Sequence, residues 1–196
     1  MPDLMLPVFG ALSVALGLAG YVPYIRDTLA GRTKPHLFSW LIWAVLTAVG
    51  FAGQLRAGAG PGAWAAGVTV AGCCTVVVLA ARGGLGYVTR LDWWCLAGAG
   101  CALALWPLAG PLAAVALAEV VSGAGFVPTV VKSLKGPGDE TLSVYSLAAV
   151  KSGLAAVAVG RWSLLGLLSP VAGGLMEVVM VVVLVSRRRV LVGVLV

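Results

Sequence analysis

The sequence predicts an all-helical membrane protein with seven transmembrane helices, and three observations carry that prediction. Sixty-one per cent of the 196 residues are hydrophobic and only 10% are charged, against about half and about a quarter in an ordinary soluble domain. Apolar runs of spanning length recur along the chain, divided by short stretches that hold charge, glycine and proline. Seven helices of about 20 residues fill most of the chain, leaving only short loops and no separate soluble domain.

The first span is expected at 8–25. The chain opens Met1-Pro2-Asp3 and runs straight into it, without the basic start and small-residue cleavage site of a signal peptide. The second, 38–55, follows the polar stretch holding Arg32, Lys34 and His36, and the third, 62–81, lies between Arg56 and Arg82. The fourth, 91–108, starts after Arg90, and Gly110-Pro111 separates it from the fifth, 112–131. The sixth, 142–159, follows the loop Gly136-Pro137-Gly138-Asp139, and the seventh, 164–185, ends at Arg187-Arg188-Arg189.

An odd number of spans puts the two ends on opposite sides. The side of the amino terminus carries Arg56 and Arg161; the other carries Arg26, Arg32, Lys34, Arg82, Arg90, Lys132, Lys135, Arg187, Arg188 and Arg189. Because cytoplasmic loops collect Lys and Arg, the amino terminus is expected outside and the carboxyl terminus in the cytoplasm. Trp40, Trp64, Trp93, Trp94, Trp106 and Trp162 fall at span ends, where indoles anchor at the headgroup level, and only Trp43 sits deeper.

Several classes of function are excluded. The net charge of +6 is spread over membrane loops, so nucleic acid is not an expected partner. Cys73, Cys74, Cys95 and Cys101 lie in apolar runs without the spacing of a disulfide framework or metal site. No cofactor or metal is expected. An intramembrane aspartyl protease needs two facing aspartates within spans, but Asp139 lies in a loop. A retinal protein needs a lysine on the seventh helix, where this chain has Glu177. His36 stands at the start of the second helix as an interfacial residue, so no enzyme activity is expected.

The chain repeats itself at an offset of 105. Residues 20–45 align without gaps on 125–150, sharing Gly20/Gly125, Val22/Val127, Pro23/Pro128, Leu29/Leu134, Gly31/Gly136, Leu37/Leu142, Ala44/Ala149 and Val45/Val150. Tyr21/Phe126, Thr28/Ser133 and Trp40/Tyr145 extend the match conservatively. An offset of four helices preserves orientation, which predicts two parallel three-helix repeats, 1–86 and 111–189, joined by a linker helix within 87–110 and followed by a tail at 190–196. Parallel repeats about an axis along the membrane normal are a transporter plan.

This 3+1+3 plan, the outside amino terminus and the paired segments Gly20-Tyr21-Val22-Pro23 and Gly125-Phe126-Val127-Pro128 resemble the SWEET, PQ-loop and KDEL-receptor superfamily. The segment Lys34-Pro35-His36-Leu37-Phe38-Ser39-Trp40-Leu41-Ile42-Trp43 makes the chain most similar to bacterial seven-helix SWEET-like proteins. The resemblance implies a cavity between the repeats through which a sugar, amino acid or vitamin moves by alternating access, with Pro23 and Pro128 as hinges. The family's Pro-Gln pair is Pro23-Tyr24 and Pro128-Thr129 here. Sugar-carrying members use Asn on the third helix of each repeat; this chain has no Asn, and Cys73 and Glu177 are the nearest residues by position.

Glu119, Lys151 and Glu177 lie well inside predicted spans. A charged residue at mid-span costs about 2.5–3.5 kcal/mol on insertion scales, so such residues face a cavity or each other. Lys151 and a glutamate are expected either to bind a polar solute or a proton, or to form a structural ion pair. Thr47 and Ser152 occupy equivalent repeat positions; they either line the cavity or bond back to their own helices. Trp43 either stacks on a sugar face or packs on a neighbouring helix. Pro23 and Pro128 are either hinges or static kinks. Gln54, the one side-chain amide, lies near a span end.

The expected function is transport of a small polar solute, a sugar or else an amino acid or cation coupled to protons, with a receptor-like protein of the same fold as the alternative. The expected partners are the lipid bilayer and that solute; a homo-oligomer is left open. The Ala, Gly, Val and Arg richness is that of a GC-rich bacterium, placing the expected location in the inner (plasma) membrane.

Overall fold

The computed structural model describes residues 4–31, 35, 37–82, 90–135, 137 and 142–194, without the side chains of Asp27, Leu91, Pro128, Thr129, Lys132, Lys135 and 191–194. These residues form seven α-helices: α1 (Met5–Leu29), α2 (Leu37–Arg56), α3 (Trp64–Ala81), α4 (Arg90–Ala109), α5 (Pro111–Lys135), α6 (Leu142–Val157) and α7 (Leu164–Val194). A 3-10 turn, Gly60–Ala63, leads into α3, and there is no strand among the described residues. Each helix coincides with an expected span. Met5–Arg26, Leu37–Arg56, Gly60–Ala81 and Leu164–Val190 are each long and apolar enough to cross a membrane, as expected of a membrane-embedded protein.

The punctuation follows from the residues present. Gly110 adopts φ +86°, a conformation open to glycine, and lets α4 turn directly into α5, where Pro111 occupies the first position without forfeiting a helical hydrogen bond. Ser163 caps α7 by accepting the Gly166 N–H at 3.1 Å. At the other end α7 runs to Val194, beyond the span limit of 185, so Arg187, Arg188, Arg189 and the start of the expected tail at 190–196 are helical. Arginine is a good helix former and no proline intervenes, so the helix outlasts its apolar stretch. Arg187 Nε donates to the Leu134 carbonyl at 2.9 Å and Arg188 Nε to the Pro137 carbonyl at 3.0 Å, tying the end of α7 to the end of α5.

The packing is regular. α1 packs on α3 and α6; α2 on α3, α5 and α7; α5 on α7; α6 on α3 and α7. Exchanging α1 with α5, α2 with α6 and α3 with α7 leaves this set of neighbours unchanged, while α4 lies outside it against α5 and α2. The aromatic contacts obey the same exchange. Tyr21 on α1 meets Trp40 on α2 edge-on at a ring-centroid distance of 6.3 Å, and Phe126 on α5 meets Tyr145 on α6 edge-on at 6.3 Å. Both pairs are among those aligned by the repeat.

Interior contacts use small side chains, which bring helix axes close. The larger buried cluster joins Ile42, Leu46 and Val49 of α2 to Ala99 and Ala102 of α4 and to Ala114, Val115 and Ala118 of α5. A second cluster, Ala59, Ala63 and Val159, joins the α2–α3 and α6–α7 connections, where the Gly160 N–H donates to the Ala59 carbonyl at 3.0 Å. Large apolar residues meanwhile face outward, with Trp94 76% and Trp162 75% exposed. That inversion suits a lipid-facing surface.

A candidate solute cavity

Five helices converge on a cavity of about 210 Å³. It is smaller than the roughly 300–1,000 Å³ of pockets for drug-sized ligands, so it has room only for a small molecule. α2 lines it with Leu46, Thr47, Gly50, Phe51 and Gln54, and the start of α3 with Ala65, Ala66 and Thr69. α5 adds Glu119 and Ser122, α6 adds Lys151, Ser152 and Ala155, and α7 adds Ser169, Pro170, Gly173, Met176 and Glu177. Each helix contributes residues three, four, seven or eight apart, the spacing of one helical face.

The repeat is legible in this wall. Leu46/Lys151, Thr47/Ser152, Gly50/Ala155 and Ala65/Pro170 all line the cavity, each pair separated by the same 105 residues. Glu119, Lys151, Glu177, Thr47 and Ser152 are therefore brought together. The Lys151–glutamate ion pair is not closed here: Lys151 Nζ donates to Thr69 Oγ1 at 3.4 Å, and Glu177 Oε2 is buried without a hydrogen-bond partner. Thr47 both lines the cavity and bonds back, donating to the Trp43 carbonyl at 2.6 Å.

Cys73 and Trp43 do not line this cavity. Cys73 lies one turn beyond Thr69, but there the Tyr21 ring covers α3: a Cβ built on Gly72 would fall 2.6 Å from it, and Tyr21 Oη meets Cys73 Sγ at 3.4 Å. Trp43, one turn before Thr47, packs edge-on against Trp40 at 5.5 Å. Pro23 lies within α1 and Pro128 within α5, the latter's side chain being outside the described residues. A further proline, Pro170, breaks the hydrogen-bond ladder of α7 at the cavity wall.

Sequence reasoning set Gln54 aside and missed Phe51, Thr69, Ser122 and Ser169. Gln54 is 2% exposed, with Oε1 buried and unpartnered. Ser169 Oγ is likewise buried without a partner. A signal was available: Ser169, Gly173 and Glu177 recur every fourth residue on α7, and Ser122 follows Glu119 by three on α5. Among the described residues no group of His, Cys, Asp and Glu could hold a metal ion. The chain matches no protein-family model, no curated protein and no solved structure.

Proposed function

We propose that the protein is a SWEET-like, multi-pass transporter of a small polar solute in a bacterial inner membrane, working by alternating access between two three-helix repeats. In this reading α1–α3 and α5–α7 are the repeats, α4 joins them, and the amino terminus is outside. One observation carries it: Glu119, Lys151 and Glu177, each costly inside a membrane, all border one cavity walled by both repeats. The exchange of helix neighbours and the matching aromatic pairs support the two-repeat plan. Pro23 and Pro170 supply bends about which a repeat can rock.

The resemblance points to a sugar, while the charged wall favours an amino acid or another charged solute. Uptake by sealed proteoliposomes of labelled sugars, amino acids and amines is the test. Saturable flux of one class, reduced at least tenfold in Glu177→Gln, is expected. Ligand binding with no flux of any class would instead make this a receptor-like protein of the same fold.

A further inference from the structure

We infer that the cavity receives a small organic amine as its ammonium cation, seated against Glu119, Gln54 and Ser169. The inference rests on reading this cavity as the solute site. Three buried polar atoms in the described structure lack a partner, Gln54 Oε1, Ser169 Oγ and Glu177 Oε2, and all three belong to residues of this one wall. A buried acceptor left unmade costs about 1–3 kcal/mol, so a group that donates to Gln54 Oε1 and Ser169 Oγ fits at their end of the cavity.

The remaining wall sharpens the chemistry. Thr47 and Thr69 spend their hydroxyl hydrogens on carbonyls of their own helices, at 2.6 and 2.9 Å, and turn only lone pairs to the cavity. Glutamate carboxylates accept, while Lys151, the Gln54 amide nitrogen and the Ser122 and Ser152 hydroxyls can donate. An alkylammonium carries N–H donors and no acceptor, which suits the group of Glu119 carboxyl, Gln54 Oε1 and Ser169 Oγ. The wall holds two carboxyl groups and one lysine, so its acids outnumber its one base.

Position chooses between the carboxyl groups. Lys151 Nζ is held on Thr69 of α3, and Lys151 Cδ lies 3.6 Å from a Cβ built on Gly17 of α1. Glu119 stands beside Ser169, for a Cβ built on Gly50 would fall 2.6 Å from Ser169 Oγ and 3.7 Å from Glu119 Oε1. Gln54 is one turn further along the same α2 face. Ser169 and Glu177 are separated by eight residues of α7, about 12 Å of helix rise, so the seat at Ser169 is distinct from Glu177.

The test is the thermal midpoint of the purified full-length protein with n-butylammonium chloride, n-butanol or sodium chloride at matched ionic strength. A saturable rise of roughly 2–4 °C or more with the amine alone is expected. Glu119→Gln should abolish it, as should Gly50→Ala, whose methyl group enters the space beside Ser169 Oγ. An equal rise with butanol or sodium chloride, or none with the amine, overturns the inference in the wild-type protein alone. Amine binding without vesicle flux overturns transport and leaves this site standing. Flux of a neutral solute with no amine shift overturns this site and leaves transport standing.

Discussion

Position by position, α1–α3 and α5–α7 present matching frames with different chemistry. Lys151 is matched 105 residues earlier by Leu46, Glu119 by Val14 and Glu177 by Gly72. Where the second set carries a carboxyl group on α7, the first has no side chain on α3, and the Tyr21 ring fills the space. The frame depends on close-packed small residues and on edge-on aromatic pairs, Tyr21–Trp40 and Trp40–Trp43 in the first set and Phe126–Tyr145 in the second, none of them charged. Chemistry can therefore differ between the two sets of helices without disturbing their matching neighbours.

The sharpest way to probe that difference is to neutralise one side. Lys151→Met leaves Glu119 and Glu177 without a base on the wall and removes the donor to Thr69, and a loss of about 1.5–3 kcal/mol, read as a lowered thermal midpoint, is expected. Leu46→Met at the matching position should cost less than about 1.5 kcal/mol. Equal losses would show that the charges are not what separates the two sets.

Next in size is Gly72→Ala. Its methyl group would fall 2.6 Å from the Tyr21 ring, so chemical unfolding should register a loss of about 1–3 kcal/mol. Gly153→Ala, with nothing within 4 Å, should instead gain up to about 1 kcal/mol from helix propensity. Trp40→Leu removes ring contacts with Tyr21, Tyr24 and Trp43, each aromatic pair contributing about 0.5–1.5 kcal/mol, whereas Phe126→Leu removes the contact with Tyr145. The first should lower the midpoint more. The smallest effect belongs to Tyr21→Phe, which copies its counterpart Phe126 and forfeits only the 3.4 Å contact with Cys73, within about 1 kcal/mol.

The helices were legible because lipid demands long apolar runs, and charge, glycine and proline collect between them. Glu119, Lys151 and Glu177 were legible because a mid-span charge is costly enough to need an explanation. Ser169 and Ser122 were not, since a hydroxyl in a helix can satisfy itself on its own backbone and so advertises nothing. Cys73 was expected at the wall because it stands nearest the position where the resemblance puts an Asn; instead a tyrosine from another helix packs on it, a contact no local pattern announces. Gln54 looked peripheral by its distance from the helix centre, yet the adjoining α2–α3 connection folds back through Gly60–Ala63 and buries it.

α7 is 31 residues long, about 46 Å, against a hydrocarbon layer of about 30 Å. From Pro170 to Arg188 it makes a rigid arm of about 27 Å, and its far end is fastened to the carbonyls of Leu134 and Pro137. A bend of roughly 5° at Pro170 carries that end about 2 Å. In the proposed transport cycle a motion slight at the cavity wall would be magnified where the arginines grip, and α7 would act as a lever with its fulcrum at Pro170.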